Sequence, residues 1–157
     1  MGHVSLSSLA AMDIVRLLAA EPGGQANAVD VEPESRKTKA RALRVLVVDD
    51  EKLVADSLSE ILKRFHYDAV AFYNGEAAIE AARRQCPDFV LSDVMMPRLN
   101  GVETVLRIQE ICPGTRILLL SGNAATADLL KQARSKGHDF ELLAKPVHPE
   151  ELLRRLQ

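Results

Sequence analysis

Asp93 closes the run Phe89-Val90-Leu91-Ser92-Asp93, in which three of the four residues before the carboxylate are apolar. Asp49 and Asp50 follow a similar run, Val45-Leu46-Val47-Val48. Ser121 follows Ile117-Leu118-Leu119-Leu120, and Lys145 follows Glu141-Leu142-Leu143-Ala144. Each of these polar residues therefore stands at the carboxyl end of a predicted strand, which is where ligands and chemistry collect in open α/β sheets. Taken singly, each has an ordinary reading. Asp49 or Asp93 caps a helix or closes a turn, Ser121 closes a turn, and Lys145 is a solvated surface charge. Taken together they suit a different chemistry. Carboxylates packed side by side repel, and each disfavours ionisation of the next. A hard divalent cation relieves that repulsion, and Mg²⁺ takes oxygen ligands while keeping several waters. Lys145 adds a positive point charge for a group bearing negative oxygens. A carboxylate nucleophile, a metal, a lysine and a hydroxyl donor around one site fit phosphoryl transfer.

The elements that must position these residues alternate along the chain. Apolar runs with β-branched residues and little polar interruption read as strands buried on both faces. Val45–Val48, Asp68–Phe72, Phe89–Asp93, Ile117–Leu120 and Glu141–Ala144 are the five predicted strands. Helical spacing of apolar residues marks the segments between them. The first helix carries Leu53, Val54, Leu58, Ile61, Leu62 and Phe65. The second runs from Glu76 to Gln85, after Asn74-Gly75 and before Cys86-Pro87. The third runs from Val102 to Ile111, with Val102, Val105, Leu106 and Ile108 inward, and Cys112-Pro113-Gly114 breaks it. The fourth runs from Ala124 to Lys136 and is closed by Gly137, and the last runs from Pro149 to Leu156 with Leu152, Leu153 and Leu156 on one face. Strand and helix alternating in this way predict a doubly wound α/β fold with a five-stranded parallel sheet, flavodoxin-like, in strand order 2-1-3-4-5. In that order strands one, three, four and five are adjacent, so Asp49, Asp50, Asp93, Ser121 and Lys145 converge.

Composition sets outer bounds. The chain has 157 residues, 47% hydrophobic and 27% charged, an ordinary globular balance with room for one core and a tail. The formal net charge of -2 gives no overall attraction to nucleic acid or anionic membrane. No apolar run approaches a membrane span, and the amino terminus lacks the pattern of a secretory signal, so a cytoplasmic location is expected. Cys86 and Cys112 each precede a proline and share no CxxC spacing. They read as two reduced, small hydrophobes at helix ends, with a structural disulfide or a metal pair as the lesser alternative. Residues 1–43 form a separate expectation. Ser5 to Ala20 fits a short amphipathic helix, with Leu6, Leu9, Ile14, Leu17 and Leu18 to one side, stopped by Pro22-Gly23-Gly24. Gln25 to Ala42 is polar and reads as linker or disordered tail. Its basic cluster Arg36, Lys37, Lys39 and Arg41 reads as a solvated tail rather than a nucleic-acid contact.

From Arg44 to Gln157 the chain resembles the receiver domain of two-component response regulators. The residues carrying the resemblance are Val47-Val48-Asp49-Asp50-Glu51, Asp93 with Met96-Pro97 and Asn100-Gly101, Ser121, and Lys145-Pro146. Each motif alone is weak, and all of them in order at strand ends are specific. The resemblance implies that Asp93 accepts a phosphoryl group from the phosphohistidine of a histidine kinase or histidine phosphotransfer protein. It implies Mg²⁺ held directly by Asp50, Asp93 and the Met95 backbone carbonyl, with Asp49 acting through a water. It implies Ser121 and Lys145 as partners of phosphoryl oxygens, and a cis bond before Pro146. The aromatic usual in the family three residues before the lysine is replaced by Leu142, with Phe140 nearby. No residues beyond Pro149 could house an output domain, so a stand-alone switch signalling through a protein partner or a phosphorelay is expected. Two other functions compete with this one. A degenerate receiver used only for binding is disfavoured by the complete acceptor set. A phosphatase of the haloacid dehalogenase type wants a second Asp two residues after the nucleophile, where this chain has Met95.

Overall fold

The computed structural model describes residues 40–157, and the expectations for an amphipathic helix and a linker in residues 1–39 lie outside them. Residues 40–43 carry no helix or strand. The order is β1 (Arg44–Val48), α1 (Lys52–Arg64), β2 (Asp68–Phe72), α2 (Gly75–Arg84), β3 (Phe89–Asp93), α3 (Gly101–Ile111), β4 (Arg116–Ser121), α4 (Thr126–Ser135), β5 (Glu141–Ala144) and α5 (Pro149–Leu156). The five strands form one parallel sheet in the order β2-β1-β3-β4-β5. This is the doubly wound topology that the alternation predicts.

The apolar strands occupy the middle of the sheet. All five residues of β3 are buried, as are Val45 to Val48 of β1. Each large aliphatic side chain so buried, Leu46 and Leu91 among them, contributes about 2 kcal/mol relative to exposure. Alternate residues feed two cores. Leu46, Val48 and Val90 pack with α2 and α3 on one face, whereas Val45, Val47 and Leu91 pack with α1 and α5 on the other. Of the first helix's expected apolar face, Leu58 and Leu62 are buried, but Leu53 is 80% and Phe65 53% exposed. Phe65 stands just past the helix end, and about 3.6 residues per turn put Leu53 on the side of α1 away from the stripe that Ala55, Leu58 and Leu62 present to the sheet.

Local chemistry fixes the starts of the helices that follow the site. Asn74 caps α2 by accepting from the Ala77 N–H at 2.8 Å. Asn100 and Glu103 form a reciprocal capping box at α3. Gly101 is required there: a Cβ at this position would lie 1.9 Å from the Asp93 carbonyl oxygen. Its N–H donates to the Val94 carbonyl at 2.8 Å, so α3 starts directly against the end of β3. The fourth helix begins at Thr126, two residues later than expected, because Asn123 first turns the chain by accepting from Ala125 N–H on its side chain and from Thr126 N–H on its backbone. Gly137 leaves α4 at φ 88°, the left-handed conformation that ends helices.

One expectation is corrected. Cys86 and Cys112 are not separate reduced hydrophobes but are joined as a disulfide. The helices α2 and α3 lie side by side on one face of the sheet, so the residues just past their carboxyl ends meet, with Cα atoms 5.6 Å apart. Sequence separation of 26 residues carries no sign of that proximity, which arises only from the right-handed crossover.

Candidate functional site

Parallel register brings the polar strand ends to one edge. Val48 pairs with Ser92, Asp93 with Leu120 and Ser121 with Ala144. The residues next in the chain therefore emerge together, and Lys145 is fixed by its backbone N–H, which donates to the Ser121 carbonyl at 2.9 Å. The Lys145–Pro146 bond is cis, as the resemblance implies.

The carboxylates differ in environment. Asp49 is fully buried. One of its oxygens accepts from the Glu51 N–H at 3.0 Å and the other from Lys145 Nζ at 2.8 Å. Asp93 is buried at the end of β3, and its Oδ2 lies 3.3 Å from the same ammonium. Asp50 is exposed. Carboxylate oxygens of Asp49, Asp50 and Asp93 lie within 4.8 Å of one another. Burial pushes the Asp93 carboxyl above its ordinary pKa; the Lys145 charge opposes this and the Asp49 charge reinforces it. Partial burial lowers the pKa of Lys145, but its hydrogen bond to Asp49 and the charges of Asp49 and Asp93 outweigh that and hold it above its ordinary value.

An open cavity of about 510 Å³ lies over this cluster, lined by Asp50, Glu51, Asp93, Met95, Gly122, Asn123, Lys145 and Pro146. Of the residues expected from sequence, Asp49, Asp50, Asp93, Met95 and Lys145 are brought together. Ser121 is half-buried and stands next to this lining rather than in it. Gly122 is a further contributor that sequence reasoning misses. It lines the cavity beside the Lys145 stem, where a Cβ would make only an ordinary contact with the lysine at 3.4 Å. No residue spacing signals that role.

The donor set fits a hard divalent cation. All three side chains offer oxygen, Asp50 faces the cavity, and one ammonium contacts the cluster of three carboxylates, leaving an excess of negative charge.

Residues 45–157 match the family described as the response regulator receiver domain. The chain belongs to this family. The receiver domain is similar to the probable transcriptional regulatory protein TcrX of Mycobacterium tuberculosis, with 34% identity over 78% of this chain and 51% of that protein. It is also similar to the DNA-binding response regulator MtrA of the same organism, at 33% identity over 73% of this chain and 49% of the relative. The chain thus spans about half the length of these curated relatives. Chemotaxis protein CheY of Thermotoga maritima is 29% identical over 72% of this chain and 93% of its own length. Among solved structures, Vibrio cholerae chemotaxis protein CheY4 superposes with a TM-score of 0.66 at 30% identity, covering 74% of this chain and 97% of that one. As a receiver domain of two-component response regulators, the chain serves phosphorylation-dependent signalling. Among the described residues no helix is long and apolar enough to cross a membrane.

Proposed function

We propose that this receiver domain takes a phosphoryl group onto Asp93 from the phosphohistidine of a histidine kinase or histidine phosphotransfer protein in the cytoplasm, and passes the signal on through a protein partner or phosphorelay. The observation that carries the reading is the Lys145 ammonium held between Asp49 and Asp93 at the floor of an open, carboxylate-lined cavity. An Asp93 carboxylate oxygen forms the new bond to phosphorus as the bond from phosphorus to the histidine nitrogen breaks, so the step needs no other reactant. Asp93 is reachable from the cavity while the rest of β3 is buried, which gives the donor one carboxylate to approach from above. Lys145, tethered by Asp49, holds its charge where phosphoryl oxygens would lie. Asp50, Asp93 and the Met95 backbone carbonyl would hold Mg²⁺ directly and Asp49 through a water. When bound, that ion supplies charge neutralisation for the transferring phosphoryl group. Ser121 would reach a phosphoryl oxygen by a turn of its side chain from the edge of the site.

Nothing in this chemistry needs turnover on a separate substrate, so the domain is proposed as a switch rather than an enzyme, limited to its own phosphorylation and dephosphorylation. Incubation with acetyl phosphate and Mg²⁺ followed by intact-mass measurement tests it. A single stable phosphoryl adduct is expected. Steady release of phosphate without an adduct would identify a phosphatase, and no adduct under any condition would identify a binding module.

A further inference from the structure

A second cavity, of about 600 Å³, opens at the opposite end of the sheet, and the Cys86–Cys112 disulfide lies in its wall. The two sulfur-bearing residues differ sharply in access. Cys86 is exposed, whereas Cys112 is 3% exposed and packs within the core shared by α2 and α3. Disulfides in the cytoplasm, where the proposed function places this domain, are characteristically made and broken rather than permanent.

We propose that Cys86–Cys112 is a thiol–disulfide exchange site for a low-molecular-weight thiol that enters this cavity, with Cys86 as the sulfur attacked. The exchange site rests on the proposed function only through the cytoplasmic compartment. The incoming thiolate bonds to the Cys86 sulfur, the Cys86–Cys112 bond breaks, and Cys112 leaves as a thiolate that takes a proton. A second thiol then attacks the mixed disulfide, releasing the small-molecule disulfide and the Cys86 thiol. Two electrons pass from the two small thiols to the protein, and no other reactant is needed.

The fold is built to survive the opening. Cys112 Sγ lies 3.6 Å from the Ala82 carbonyl oxygen, so the buried thiol finds an acceptor as soon as it forms. The junction keeps other ties: Thr115 Oγ1 donates to the Pro87 carbonyl at 2.8 Å, and Arg116 N–H donates to the Asp88 carbonyl at 3.0 Å. The two helices stay in register at their other ends, where Gly75 backs so closely on α3 that a Cβ would meet Thr104 Oγ1 at 2.1 Å. The cavity volume lies in the range that accepts small ligands, enough for a tripeptide thiol.

The test uses the full chain and glutathione. C112S, left with Cys86, should form a mixed disulfide with oxidised glutathione, read by intact mass. C86S, left with Cys112, should react at least about tenfold more slowly, as expected when exposure controls access to a thiol. Equal rates, or faster reaction of C86S, would overturn the proposal. Wild-type protein guards against a misfolded variant. Reduced by glutathione and acid-quenched during the reaction, it should carry the mixed disulfide on Cys86 by peptide mass. Mapping to Cys112, or a disulfide that excess glutathione leaves intact, would equally overturn it. None of these readings depends on phosphorylation, so failure of the proposed phosphoacceptor would leave them interpretable.

Discussion

Lys145 is tied more closely to Asp49, at 2.8 Å, than to Asp93, at 3.3 Å. The buried Asp49, with its other oxygen held by the Glu51 N–H, is thus an anchor for the lysine, and Asp93 receives the looser contact. Replacing the lysine removes the counter-charge of the anchor as well as of the acceptor. Lys145→Met should therefore destabilise the fold by about 3 kcal/mol in urea titration, the low end for a broken buried pair, because the Lys145 side chain stays 22% exposed. It should also lower the yield of phosphoryl adduct. Wild-type stability in the variant would show that Asp49 does not depend on the lysine.

Asp93 carries a pH signature of the opposite sense from most carboxylates. Burial raises its pKa in the folded protein, so folding favours the protonated form. Its contribution to stability is full below its ordinary carboxylate value of 3.8 and is lost as pH rises through the raised folded value. At neutral pH and in EDTA, Asp93→Asn should be more stable than wild type, because the buried charge is gone. That advantage should shrink as the pH is brought below the ordinary carboxylate range. The same variant should form no phosphoryl adduct, since the amide is nearly isosteric but a poor nucleophile. An adduct of undiminished yield would sink the assignment, and a stability difference independent of pH would sink the electrostatic account.

Asp50 is the carboxylate of the cluster that is both exposed and on the cavity wall. Asp50→Ala should weaken Mg²⁺ binding and phosphorylation together, because a hard oxygen ligand is removed. Without metal it should leave the fold as stable as wild type or more so, since one repulsive charge is gone. Unchanged Mg²⁺ affinity by calorimetric titration would contradict the role.

Much of this site could be read before any coordinates, and the reason is physical. Asp49, Asp50, Asp93 and Lys145 each end an apolar run, and in a parallel sheet a run's end is a place in space. What could not be read depends on side chains meeting across the fold. Nothing in the spacing of Cys86 and Cys112 reveals that α2 and α3 end side by side. Leu53 counts among the apolar residues of the first helix yet is exposed, because about 3.6 residues per turn put it on the side of α1 away from Ala55, Leu58 and Leu62. Ser121 ends its strand as expected, but the cavity wall at this edge is made by Gly122 and Asn123. Strand register places a residue at an edge; side-chain direction decides whether it faces the site.

The lifetime of the phosphorylated state should be set by the two side chains that flank the cavity above Asp93. Hydrolysis of an aspartyl phosphate needs a water in line with phosphorus, opposite the bond to Asp93. Met95, 44% exposed, and Asn123 both line that space. Met95 is long, flexible and apolar, so it can cover the phosphoryl group but cannot accept a hydrogen bond strongly enough to orient a water. Asn123 could orient one, but its Oδ1 already accepts from the Ala125 N–H at 3.1 Å as the chain turns into α4. Neither side chain is therefore well suited to hold the water, and the phosphorylated domain should be long-lived. Met95→Asn supplies a free amide oxygen at the cavity wall. It should shorten the lifetime about tenfold, equivalent to ~1.4 kcal/mol of barrier. The measurement is decay of the phosphoryl adduct by intact mass after the donor is removed, in wild type and Met95→Asn. Equal or slower decay in the variant would show that Met95 does not guard the path of the water.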